Sequence, residues 1–258
     1  MKQLLIIPDI NNMEMSLELA KKYSLGFEYN DFFVPEVLDD EYRLQELVDK
    51  YKSYKLPQYC TMHGAFYDVI PFSSDPRIRE ISVLRIEQSI EAAKKMGAEA
   101  VVFHTNYNPF LNSSAYIKEW VQLNTVFWCG IYEKYSDINI YLENMFDVSP
   151  DMLERLALQL SKYNNFGICL DYGHASLSSA AEPRGWVESL GKYVKHIHIN
   201  DNDFISDLHL AWGDGEVIRE EFYYLYNMYM SDATILIETN SEENIRKSLD
   251  MLFKDGFI

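Results

Sequence analysis

The feature that most restricts how this chain can fold is an alternation, kept up from one end to the other, of short β-branched apolar runs with longer segments of helical period. That is the signature of βα units built around a parallel sheet. Strands are expected at 3–7, 26–30, 59–63, 100–104, 139–143, 166–171, 195–199 and 234–238. Each is followed by a helical segment, at 13–23, 41–54, 77–96, 116–135, 150–163, 185–193, 220–230 and 242–254. Asp75-Pro76, Ser149-Pro150 and Ser241 with Glu242 and Glu243 supply cap residues, first-position prolines and first-turn carboxylates. Eight consecutive βα units make a (β/α)8 barrel of the α/β class, and 258 residues with 48% hydrophobic content suffice for one. No linker or low-complexity segment cuts the chain, so residues 1–258 are read as a single domain. An open doubly wound sheet is the alternative, with its ligand at one switch point.

A barrel of this kind works at the C-terminal ends of its strands, and that is where the metal-binding residue types fall. His63, His104, Glu143, Asp171 and Glu238 end their strands, and His198 lies near the end of the seventh. His174 follows Asp171 by three residues, while Asp207 and His209 form an Asp-x-His pair in the loop after the seventh strand. Five of the six histidines therefore gather at the expected mouth. These are oxygen and nitrogen donors suited to zinc, manganese or a similar divalent ion. Glu143 and Glu238 each close an apolar strand, in IYLEN and ILIET, where burial alone would not put a carboxylate.

Strand alternation turns His196 and His198 to one face and Ile197 and Ile199 to the other. His196 is expected to be buried below the site, with Asn200 and Asp201 fixing the loop and orienting His198. Glu28 and Tyr29 are candidate pocket residues. Aromatic residues crowd the mouth segments, and Tyr67, Tyr107 and Trp212 are the candidates for a substrate wall, since sugars present apolar C–H faces.

Net charge is −17, from 23 basic and 40 acidic residues, which disfavours sequence-independent attraction to nucleic acid or an anionic membrane. Cys60, Cys129 and Cys169 are odd in number and widely spaced, fitting free thiols in a reducing compartment. The N-terminal apolar run stops at Pro8, too short for a signal peptide or a membrane span, and a cytoplasmic location is expected.

The motifs MHGAFYD, VVFHTNYNP, IYLENMF, ICLDYGHAS, HIHIND, SDLHLAWGDGEV and ILIETN resemble those of the xylose isomerase-like TIM barrels. That family includes sugar-phosphate isomerases and epimerases and the DNA-repair enzyme endonuclease IV. In its epimerase branch the resemblance implies one divalent ion (Mn, Zn, Mg or Co) on Glu143, Asp171, His198 and Glu238. Glu143 and Glu238 would move the proton, and His174 would donate to the developing oxyanion of an enediolate. In its endonuclease IV branch the resemblance implies three zinc ions: on His63, His104 and Glu143; on Glu143, Asp171, His198 and Glu238; and on His174, Asp207 and His209.

The acidic segments NDFFVPEVLDDE and NDNDFISDLHLAWGDGE lack the basic loops a DNA-holding nuclease needs. The expected activity is therefore a metal-dependent sugar isomerase or epimerase, with a multi-zinc phosphodiesterase as the alternative and a non-catalytic metal- or sugar-binding barrel as the third reading. The few candidate mouth cations, Arg77, Arg79, Lys118, Arg184 and Arg219, lie in or beside helices. An unphosphorylated carbohydrate is thus the expected small-molecule partner, since a phosphate usually wants a cation or a helix N-terminus. A homo-oligomer is compatible with the sequence, although no stretch marks an interface.

Overall fold

Eight parallel strands close on themselves in the computed structural model, which describes residues 2–66, 69–177, 180–239 and 241–258. The strands are β1 (Leu4–Ile6), β2 (Gly26–Tyr29), β3 (Cys60–His63), β4 (Ala100–His104), β5 (Asn139–Glu143), β6 (Phe166–Asp171), β7 (Val194–Ile199) and β8 (Thr234–Ile237). Closure is made by β1 on β8, with Leu4, Leu5 and Ile6 opposite Ile235, Leu236 and Ile237. The open-sheet alternative is thereby excluded, and the (β/α)8 expectation stands.

Around the barrel lie α1 (Met13–Tyr23), α2 (Pro35–Leu38), α3 (Glu41–Lys52), α4 (Pro76–Met96), α5 (Ser114–Lys134), α6 (Asp151–Leu160), α7 (Tyr172–Leu177), α8 (Pro183–Leu190), α9 (Arg219–Tyr229) and α10 (Glu242–Lys254). Asp75 caps α4 by accepting from the Arg77 N–H, and Ser241 caps α10 by accepting from the Asn244 N–H. Ser149 caps nothing: α6 starts one residue later, with Pro150 in the cap position and no side-chain bond. The short helices α2 and α7 escape the sequence reading because four and six residues are too few to display a helical period.

The pleat sorts the strand residues. Ile140 and Leu142, Ile168 and Leu170, Ile197 and Ile199, and Ile235 and Ile237 join the apolar core shared with the helices. The alternate positions face the barrel interior. Low down these are Ala100, Val102, Tyr141 and Cys169, a small separate cluster, with Glu28, Thr61 and His196 buried among the polar residues. Near the top they are His63, His104, Glu143, Asp171 and His198. Between β6 and β7 the register shifts: Ile168 pairs with Val194 but Cys169 with His196, so Lys195 is the extra residue and stays exposed. The shift brings His198 level with Asp171. Among the described residues no helix is long and apolar enough to cross a membrane.

Candidate metal centre

Consecutive strands end at nearly the same height, so their last interior residues converge. His104 is the register partner of Glu143, and Asp171 that of His198. The nine candidate donors fall into three groups, within each of which one ligand atom per residue lies within 4.8 Å of the others. The groups are His63, His104 and Glu143; Glu143, Asp171, His198 and Glu238; and His174, Asp207 and His209. Glu143 belongs to two of them. Its Oε2 lies 3.2 Å from His104 Nε2 and 3.4 Å from His63 Nε2, while its Oε1 lies 3.0 Å from His198 Nδ1. Glu238 Oε2 stands 3.5 Å from the same His198 nitrogen. In the outer group Asp207 bridges His209 Nε2 at 3.2 Å and His174 Nε2 at 3.4 Å.

Main-chain carbonyls orient three of these rings. His63 Nδ1 lies 2.9 Å from Gly64 O, His174 Nδ1 3.1 Å from Asn144 O, and His209 Nδ1 3.1 Å from Glu238 O. Each Nδ1–H donates to the carbonyl and leaves Nε2 facing a carboxylate. His174 reaches its place because Asp171 Oδ1 accepts from its backbone N–H at 2.6 Å, starting α7 directly after β6. Gly173 lets that turn press on the next loop, since a Cβ there would meet Asn200 Oδ1 at 2.1 Å. His209 sits in the left-handed region with φ of 46°, a strained conformation held by the loop around it. Asp201 braces that loop, accepting from the N–H groups of Asn202, Gly213 and Val217 at 2.9 Å each.

The charges in this site lean on one another. Burial pushes the Glu143 carboxyl up, but His198 and His104 beside it win and hold it well below the usual range. Glu238 is likewise pushed up by burial and pulled down to about 2 by His198 and His209. Asp171 goes the other way, raised to about 7 by burial. His174 and His209 are opposed by burial yet raised by their carboxylate neighbours, His209 to about 9. His104, more completely desolvated than it is compensated, is lowered.

Both carboxylate oxygens of Glu143, both ring nitrogens of His198 and Nδ1 of His104 are buried without a hydrogen-bond partner among the described residues. Buried donors and acceptors left in this condition are costly. A divalent ion among oxygen and imidazole ligands would satisfy the Glu143 oxygens and the nitrogens that face them, so these residues fit such an ion.

A cavity of about 520 Å³ opens over the donors, and His63, His104, His174, Asp207, His209 and Glu238 line it. Its lining also includes Asp9, Asn12, Asn30, Phe33, Thr239 and Glu242. No Lys or Arg lines it among the described residues. Arg184 is paired with Glu221 and Arg219 with Asp255, and Arg79 donates to the carbonyl of Ser73.

Three substrate-wall expectations fare differently. Trp212 is a correction: it is 1% exposed, packs edge-on to Tyr172 and Phe222, and donates its indole N–H to Tyr223, so it is core rather than wall. Tyr107 packs against Trp120 and lines a neighbouring cavity of about 660 Å³, which shares Met145, His174 and Asp207 with the first. Tyr67 lies outside the described residues. Among the described residues, Phe33 and Phe66 are the Phe, Tyr or Trp residues that line the first cavity. Asn30, Thr239 and Asn12 carry no signal in the sequence, because short polar residues after strands are common in any loop.

The model of the family described as xylose isomerase-like TIM barrel matches residues 17–255. An uncharacterized protein of Methanocaldococcus jannaschii is 31% identical over 220 residues, covering 81% of this chain and 72% of its own. Among solved structures, a D-tagatose 3-epimerase-like protein is similar at 26% identity and a TM-score of 0.76, with 98% of this chain and 96% of that one covered. Endonuclease IV from Thermus thermophilus shares the fold at a TM-score of 0.64 and 17% identity, with 98% of each chain covered. With its barrel, its converging donors and these relatives together, the chain belongs to the xylose isomerase-like TIM-barrel family.

Proposed function

We propose that this chain is a divalent-metal-dependent isomerase or epimerase of a small, unphosphorylated carbohydrate that works through an enediolate. The observation that carries the reading is the group Glu143, Asp171, His198 and Glu238, which opens through Glu238 onto a cavity without Lys or Arg among its described lining residues. These four would hold the ion. When bound, it supplies Lewis-acid polarisation of a substrate carbonyl and its neighbouring hydroxyl. Glu238, 13% exposed against 1% for Glu143, faces the substrate side and takes the proton from the carbon next to the carbonyl. The protonated Glu238 returns it, or, for inversion at that carbon, Glu143 delivers from the closed side a proton it has taken up from solvent while Glu238 gives its own to solvent. His174, kept protonated by Asp171 and Asp207, donates from Nε2 to the developing oxyanion.

The test is solvent deuterium entering ketoses of a substrate panel at the carbon next to the carbonyl. Metal-loaded protein should catalyse the exchange and Glu143→Gln should abolish it. A clear preference for phosphorylated sugars would overturn the unphosphorylated part of the reading, and no exchange with any sugar would overturn all of it.

The two flanking donor groups favour a second reading, phosphoester hydrolysis at a multi-zinc centre, since closely spaced ions clamp attacking and leaving oxygens. Nicking of abasic-site DNA that is lost on chelation would select it.

A further inference from the structure

Beneath the donors runs a polar column that the proposed reaction leaves unused. Glu28 on β2 is fully buried. Its Oε2 accepts from Thr61 Oγ1 at 2.6 Å and lies 3.0 Å from His196 Nε2, and His196 Nδ1 lies 2.6 Å from Thr234 Oγ1. Its other oxygen, Oε1, lies 3.2 Å from His198 Nε2, within ion-pair reach, although neither atom has a hydrogen-bond partner among the described residues, so it is the charge of Glu28 that acts on the ring. His198 therefore stands between carboxylates, with Glu143 and Glu238 at Nδ1 and Glu28 at Nε2.

We propose that Glu28 is a positioning residue for the metal centre, holding the proton of His198 on Nε2 so that Nδ1 is the nitrogen presented to the ion. The inference rests on the reading of His198 as a ligand. Three of the other mouth histidines are set by main-chain carbonyls, which are neutral, whereas His198 is backed by a charged group. A carboxylate behind a ligating imidazole fixes its tautomer and strengthens it as a donor. Stability alone is a poor reason for such a group. The interior of a barrel is ordinarily filled with branched apolar side chains, and a buried ion pair is often no better than apolar packing of similar volume.

His196 serves as the brace. Cys169, His196 and His198 also lie close enough to hold an ion. Both His196 nitrogens, however, are taken up by Glu28 and Thr234. The lower cluster therefore supports the site above it rather than forming a second one.

The experiment compares zinc affinity of wild type, Glu28→Gln and His198→Ala by competition with a chromophoric chelator, alongside the thermal midpoint of each metal-free protein. Glu28→Gln keeps the shape and removes the charge, and should weaken the tightest zinc site by about 10–100-fold with little change in the metal-free midpoint. Nitrogen NMR of the zinc-loaded wild type, labelled at histidine, should show His198 bound through Nδ1 with a proton on Nε2. Unchanged affinity in Glu28→Gln while His198→Ala loses zinc would overturn this inference alone, as would His198 bound through Nε2. Unchanged affinity in His198→Ala would instead remove the ligand reading beneath it. A fall in affinity matched by an equal collapse of the metal-free midpoint would reduce Glu28 to packing.

Discussion

Two arcs of one barrel end differently. From β3 to β8 every strand delivers a metal-type donor at its mouth, whereas β1 and β2 end in Ile6 and Tyr29, and the residues after them line the cavity with Pro8, Asp9, Asn12, Asn30 and Phe33. The first arc is equipped to hold an ion and the second leaves room for what the ion acts on. β2 still contributes a carboxylate, but two residues below the mouth: Glu28 is level with Thr61, while His63 stands above it. Strand periodicity thus decides whether a side chain meets substrate or supports a ligand from below.

Four changes would break or sharpen that division. The largest effect is expected on the donor arc, where Glu143→Gln should reduce deuterium exchange by at least about 10³-fold, because Glu143 serves two donor groups and carries a proton. Next comes a change that should leave both arcs' chemistry alone: Trp212→Ala should cost about 3–5 kcal/mol of stability in chemical denaturation, while zinc binding by the folded fraction is retained. A selective loss of sugar affinity in a stable protein would return Trp212 to the wall.

The third change reads a pH dependence. Asp147, just beyond β5, is raised to about 6 by burial, although the hydroxyl of Thr105 and the N–H of Met145 donate to it. A carboxyl raised in the folded state binds more protons than its unfolded counterpart between about pH 4 and 6, so its contribution to stability falls as pH rises through that window. Relative to Asp147→Asn, the wild type should therefore lose up to about 3 kcal/mol on going from pH 4 to pH 7, measured by denaturant unfolding. An identical pH profile in the two proteins would contradict the assignment. The smallest effect belongs to the substrate arc, where Phe33→Ala should weaken sugar binding about 10-fold in calorimetry with metal content unchanged. Loss of metal in that variant would erase the distinction between the arcs.

Most of this barrel is legible in the sequence because its signals are local and repeated. Apolar runs at even spacing, and a donor at the end of six of them, survive any uncertainty of a residue or two in strand boundaries. What stays hidden depends on non-local geometry. Glu28 and His198 are far apart in sequence and meet only when β2 and β7 face each other across a closed barrel. Sequence alone assigns the orienting of His198 to Asn200 and Asp201, its neighbours in the chain. Asp201 does brace the loop, the other half of that expectation, while Asn200 Nδ2 lies 3.4 Å from Asp171 and 3.5 Å from Glu238. Trp212 misleads for a related reason: it follows a donor-rich loop, but that loop folds back under Asp201 and carries the indole into the core.

The most direct test of the central claim is metal content per chain by elemental analysis, on untagged protein purified without chelators. The account predicts about one divalent ion, kept in His104→Ala and lost in Glu238→Ala. About three zinc ions, with one lost in His104→Ala and one in His209→Ala, would contradict the single-ion enediolate mechanism and assign the site to phosphoester hydrolysis.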